Sequence, residues 1–185
     1  MRFRAFIAAE IEPNEALKGI LADLRRSGGD LKVVRPELLH VTLKFLGDAE
    51  EGLIDDIASR MRDAVKGIGP FKVRLVGMGA FPSMSNIRVV WVGMEDDGIM
   101  AGIAQELDSS LNELGFPRDE RGFKAHLTIA RARSPKGMGT VQSMLRERAA
   151  SDFGTYEVRC IRLKKSVLGP QGPTYSDVRE VGLPQ

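Results

Sequence analysis

Apolar residues recur along the chain with a period of either two or about 3.6, and the two periods alternate in blocks. Phe3 to Ile11 reads as a first strand. Pro13-Asn14 then punctuates, and Leu17, Ile20, Leu21 and Leu24 recur at helical spacing until Gly28-Gly29 ends the helix. Leu31 to Val34 leads into a strand that carries His40, with Pro36 placed before the strand proper. A second helix, from about Glu50 to Lys66, puts Leu53, Ile54, Ile57, Met61 and Val65 on one side, and Gly67 to Pro70 closes it. Phe71 to Val76 and Asn86 to Val92 follow as strands, joined by a Gly-, Pro- and Ser-rich connection from Gly77 to Ser85. The spacing predicts a third helix over Gly98 to Leu114, stopped by Gly115. A charged loop, Phe116 to Gly122, then feeds a strand that carries His126. A shorter helix from Thr140 to Ala149 and two strands, Tyr156 to Leu168 and Thr174 to Val181, complete the chain around a turn at Gly169 to Pro173.

The order strand, helix, histidine strand, helix, strand occurs twice, which marks a degenerate internal repeat within a single domain spanning residues 1–185. Strands mixed with helices on one side of largely antiparallel sheets give an α+β fold. It is expected to be bilobal, with the helices outside and a cleft between the lobes.

Composition narrows the class. A chain of 185 residues with 43% hydrophobic residues buries a real core as one domain. A net charge of +2 excludes a strongly basic nucleic-acid coat and does not repel a phosphate substrate. Cys160 is the only cysteine, so no internal disulfide or cysteine cage forms, and a reducing, cytoplasmic setting is expected. The apolar run after Met1 is too short for a signal peptide, and no later run reaches the ~18 residues of a membrane span.

The candidate chemistry lies in the two histidines. Both sit in His-x-Thr: His40-Val41-Thr42-Leu43 and His126-Leu127-Thr128-Ile129. With five threonines in the chain, chance places one two residues after both histidines roughly one time in a thousand. Strand alternation puts His40, Thr42 and Lys44 on one face and Val41, Leu43 and Phe45 on the other, and it aligns His126 with Thr128. Histidine titrates near neutral pH, so one copy can act as acid while the other acts as base. Each threonine hydroxyl can donate to a phosphate oxygen. A metal site would want a third ligand, and no His-Glu-x-x-His or nearby cysteine set exists; Asp48, Glu50 and Glu51 read as helix-capping and solvated acids. Gly77-Met78-Gly79-Ala80-Phe81-Pro82 is a turn rather than a dinucleotide loop, and no Walker sequence occurs. Cys160 carries no mark of activation, and the Lys164-Lys165 pair reads as a solvated strand face. Trp91 and Phe45 read as core. By strict alternation Arg131 points away from His126 unless the strand bulges after Ile129.

These residues resemble the 2H phosphoesterase superfamily and, within it, the RNA 2′,3′-cyclic phosphodiesterases, also called 2′-5′ RNA ligases. The likeness runs through Phe6-Ile7-Ala8, Val34 to Gly47, Gly77 to Pro82, Val90 to Gly93, His126 to Arg131 and Leu163 to Tyr175. Members of that family usually carry proline just before the second histidine, where this chain has Ala125. The resemblance implies a bilobal fold with pseudo-twofold symmetry and a metal-free, cofactor-free site between the lobes. In it His40 and His126 are the acid and base, and Thr42, Thr128 and Arg131 bind phosphate. It also implies a monomer acting on RNA or nucleotides with 2′,3′-cyclic phosphate ends, tRNA fragments among them, with ATP-independent ligation as the reverse reaction. The alternatives are a phosphodiesterase for another small cyclic phosphate, such as an ADP-ribose cyclic phosphate or a cyclic oligonucleotide, and a non-catalytic module that binds RNA ends.

Overall fold

A computed structural model describes residues 1–185. Nine strands and four α-helices follow one another along the chain. The first half contains β1 (Arg2–Glu10), α1 (Glu15–Arg26), β2 (Leu31–Val33), β3 (His40–Glu50), α2 (Ile54–Ala64) and β4 (Phe71–Ser83). The second contains β5 (Asn86–Glu95), α3 (Ile99–Asn112), β6 (His126–Ala132), α4 (Met138–Glu147), β7 (Asp152–Val158), β8 (Cys160–Gly169) and β9 (Gly172–Gly182). Short 3-10 turns, Pro36–Leu38 and Glu51–Leu53, precede β3 and α2. No helix is long and apolar enough to cross a membrane.

The strands form two antiparallel sheets in the orders β3-β1-β8-β9 and β2-β6-β5-β4-β7. These are the two expected lobes, and they are related by a pseudo-twofold. In each sheet a histidine strand (β3 or β6) lies beside the strand (β1 or β5) that leads into the preceding long helix. Two of the four helices, α1 and α3, cross to the other lobe. α1 follows β1 yet packs on β2 and β7 of the other sheet, whereas α3 follows β5 and packs on β3. α2 lies against α3 and β9, and α4 against β4, so each sheet is covered by one helix from each half of the chain. This exchange ties the lobes together. The buried side chains form one cluster of 43 residues that includes Ile7 and Leu43 of one sheet and Val92 and Leu127 of the other.

Each helix follows from its local sequence. The Asn14 side chain accepts from the Leu17 backbone N–H, capping α1, whose Leu17, Ile20, Leu21 and Leu24 are buried as their spacing predicts. α3 buries Met100, Ile103, Leu107 and Leu111, and Asp96 ahead of it accepts from the Met100 backbone N–H at 2.6 Å.

Besides shifts at element ends, such as β3 running on to Glu50 where the periodicity predicts the second helix to begin, three strand assignments differ from the sequence reading. Leu31 to Val33 does not run into the first histidine strand; as β2 it joins the other sheet, beside the second histidine strand. The Gly77 to Ser85 stretch is mostly strand, with Gly77 (φ 73°) at a bulge in β4 and only Met84 and Ser85 turning into β5. The expected strand from Tyr156 to Leu168 is two strands in different sheets. Val158 and Ile161 are both buried, so the parity of the inward positions changes across Arg159, where the chain crosses between lobes.

Candidate active site

His40 and His126 are the first residues of β3 and β6, the two strands by which the sheets touch. Each imidazole is half-buried and turned back on its own chain. His40 Nδ1 lies 2.8 Å from the Leu38 carbonyl oxygen, and His126 Nδ1 lies 2.7 Å from that of Lys124. A carbonyl oxygen only accepts, so Nδ1 carries a proton in both rings, and the neutral form of each presents Nε2 as a base. The bond at His126 forms with Ala125 immediately before the histidine. Aromatic rings hold both imidazoles from the side. His40 lies 5.1 Å from Phe6 and 5.4 Å from Tyr175, and His126 meets Phe81 edge-on at 5.1 Å.

Both strands bulge one residue after the motif threonine, and the bulges decide which neighbours join the site. In β6, Trp91 pairs with Thr128 but Val90 pairs with Ala130, leaving Ile129 unpaired by any partner on β5. Ile129 and Ala130 are both fully buried in succession, so Arg131 returns to the face of His126 and Thr128. The Arg131 charge lowers the pKa of both imidazoles.

The same bulge occurs in β3, where Ala8 pairs with Thr42 and Ile7 with Lys44. It overturns strict alternation for three residues. Lys44 turns inward: its ammonium, almost fully buried, donates to Asp108 and to the Pro117 carbonyl, each at 2.6 Å. Phe45 turns outward to the His40 side, 64% exposed and 6.2 Å from Phe6. Phe45 is thus the positional counterpart of Arg131. Trp91 is also not core: it stands across from Thr128 and packs on Phe81 at 5.4 Å, over Gly79, where a side chain would occupy the indole's place.

Burial pushes both imidazoles below the ordinary histidine value. The carbonyl hydrogen bonds oppose that shift, while nearby cations add to it: Lys164 and Arg131 at His40, Arg131 and Lys124 at His126. Lys164 is not a solvated strand residue. It is 7% exposed, and its ammonium is held by Glu10 and, at 2.5 Å, by Asp177. These three residues, with Tyr175 and Glu37, line a pocket of about 300 Å³ beside His40.

The remaining candidates stay outside this chemistry. Burial and the Glu180 carboxylate push the Cys160 thiol up, which keeps it protonated and unreactive. Glu50 and Glu51 pair with Arg2 and the chain's amino terminus. Nowhere do three His, Cys, Asp or Glu side chains converge as a metal would require. Thr42 and Thr128 are half-buried on the cleft face, two residues beyond each histidine. Phe45, Trp91 and Lys164 were missed as cleft residues because a bulge leaves no mark in hydrophobic periodicity. The signal that could have found Phe45 is its alignment with Arg131, five residues after each motif histidine.

The sequence matches the family described as LigT like phosphoesterase over residues 9–91 and 94–175. A protein of Archaeoglobus fulgidus named RNA 2′,3′-cyclic phosphodiesterase is 39% identical over 178 residues, covering 95% of this chain and 98% of its own. One of the same name from Methanothermobacter thermautotrophicus is 34% identical, covering 96% and 97%. Among solved structures, TT0787 of Thermus thermophilus superposes with a TM-score of 0.78 at 27% identity, covering 97% of both chains. The fold is shared by E. coli LigT complexed with 3′-AMP, with a TM-score of 0.72 at 20% identity over the whole of both chains. With both of its histidine strands inside the matched segments, the chain belongs to the LigT-like phosphoesterases of the 2H superfamily.

Proposed function

We propose that the protein hydrolyses 2′,3′-cyclic phosphate ends of RNA or nucleotides to 2′-phosphomonoesters, using two histidines and no metal or cofactor. One observation carries the reading: two imidazoles at the starts of the strands by which the lobes touch are each locked by Nδ1 on a carbonyl, which leaves Nε2 free, and a bulge turns Arg131 to the face of His126. In-line displacement at phosphorus has two apical positions on opposite sides, and two opposed imidazoles can serve one each. Arg131 is on the His126 strand and anchors the phosphate there, which puts His126 beside the attacking water. His126 Nε2 takes a proton from the water as its oxygen bonds to phosphorus. The bond from phosphorus to the 3′ oxygen breaks, and protonated His40 delivers a proton from Nε2 to that oxygen. Thr42, Thr128 and Arg131 donate to the equatorial oxygens as their charge grows. With a 5′-hydroxyl in place of water as the nucleophile, the same displacement would join RNA ends through a 2′-5′ bond without ATP. The names borne by the relatives support this substrate class, and a monomer acting in the cytoplasm, on tRNA fragments among other ends, fits it.

Turnover of a panel comprising nucleoside 2′,3′-cyclic phosphates, cyclic-ended oligoribonucleotides and ADP-ribose cyclic phosphate, with EDTA present throughout, tests the reading. Hydrolysis of the first two is expected. Turnover of the third alone would move the protein to another small cyclic phosphate, and binding without turnover would make it an RNA-end module.

A further inference from the structure

Lys32 of β2 stands directly across from Arg131 of β6. Opposed residues in an antiparallel pair point to the same face. Leu31 and Val33 pack against the core while Lys32 is exposed, so Lys32 shares the cleft face with Arg131. Its far end is located by the other lobe: a side chain at Gly172, where β9 begins (φ 108°), would occupy the place of the Lys32 ammonium. The β8–β9 turn of one lobe therefore meets Lys32 of the other at the end of the cleft.

Neither cation is neutralised by the protein. The lysines that form ion pairs are Lys18, Lys44 and Lys164, and Arg131 has no carboxylate partner either. Like charges directly opposed across a ladder destabilise the free protein, so the pair is suited to two anions rather than to stability. They are not suited to the same anion. Arg131 belongs to the histidine strand itself, whereas the Lys32 ammonium lies against Gly172 in the β8–β9 turn of the other lobe.

We propose that Lys32 binds the phosphate that precedes the terminal nucleoside, so that the cleft is built for the end of an RNA chain rather than for a free nucleotide. Paired strands lie about 5 Å apart, and with the Lys32 end at the β8–β9 turn the two charges are able to span about one nucleotide step. This inference rests on the cyclic-phosphodiesterase reading of the cleft.

The test compares Lys32→Gln and Lys32→Arg on a short cyclic-ended oligoribonucleotide and on a nucleoside 2′,3′-cyclic phosphate across a salt series. Lys32→Gln is expected to lower kcat/KM on the oligonucleotide about tenfold at low salt and to reduce the slope of log kcat/KM against log salt by about 0.7, one phosphate contact. The mononucleotide should be unaffected, and Lys32→Arg should retain most of the oligonucleotide rate. Equal loss on both substrates, with a lowered Tm, would make Lys32 a tether for the β8–β9 turn and overturn the proposal; so would no loss on either. A wild-type protein inactive on both substrates would instead remove the underlying reading, and this inference with it.

Discussion

The bulge at Leu43 predicts opposite costs for two adjacent residues. Under strict alternation Phe45 is core and Lys44 a solvated neighbour of His40, so Phe45→Ala should cost the ~3–5 kcal/mol of a core phenylalanine and Lys44→Met almost nothing. The structure reverses this. Phe45 is 64% exposed, so about a third of its ring leaves contact when truncated, and complete burial of such a side chain is worth about 1.5–3 kcal/mol. Phe45→Ala should therefore cost ~0.5–1 kcal/mol. Lys44 is buried, and its removal leaves Asp108 and the Pro117 carbonyl without their shared donor. Breaking a fully buried pair costs about 3–5 kcal/mol, and Asp108 is partly exposed and keeps its bond from the Asp119 N–H, so ~2–4 kcal/mol is expected. The assay is urea unfolding of both variants with equal m-values. Activity should separate in the other direction: Phe45→Ala, on the cleft face, should lower kcat/KM more than stability, whereas Lys44→Met acts through the fold. A larger stability loss for Phe45→Ala than for Lys44→Met would refute the bulge, and with it the same argument for Arg131.

Arg131→Lys should reduce turnover more than tenfold with unchanged circular dichroism, because an ammonium cannot reproduce the planar two-point grip of a guanidinium; near-normal kinetics would return Arg131 to the ordinary surface. Because both imidazoles titrate below 6.5, the form with one proton shared between them is most populated on the acid side of that value. The pH profile of kcat/KM should accordingly be a bell with its maximum below pH 6.5, and Arg131→Gln should move both limbs upward; a maximum at pH 8 would contradict the burial argument. The same lowered values make the unfolded chain bind more protons than the native one below pH 6.5. Stability should fall as pH drops through that window, and the fall should be shallower for His40→Gln in thermal unfolding measured at pH 7 and pH 5.

The sequence showed where the helices and the two histidine strands lie, since buried stripes such as Leu17, Ile20, Leu21 and Leu24 leave a direct periodic trace. Pairing of the motifs was legible for the same reason: two copies of His-x-Thr need no tertiary information to be compared. Sheet membership was not legible. Leu31–Val33 and the Val158 to Ile161 crossover satisfy strand periodicity in either lobe, and only long-range pairing decides between them. The bulges were invisible because Leu43-Lys44 and Ile129-Ala130 violate alternation by one residue. Of those violations, a buried lysine is legible only once Asp108, 64 residues away, is known to face it. Arg131 required the resemblance to outweigh its parity, and the bulge at Ile129 now supplies the physical reason.

Phosphorus NMR of the products formed from a nucleoside 2′,3′-cyclic phosphate by the wild type, His40→Ala and His126→Ala tests the two-histidine account most directly. The wild type should give a single 2′-phosphomonoester resonance in the presence of EDTA, and each variant should be slower by at least the ~100-fold that follows loss of an acid or base. A 3′-phosphate product would contradict the assigned bond, and a variant that retains near-wild-type turnover would contradict the claim that both imidazoles act.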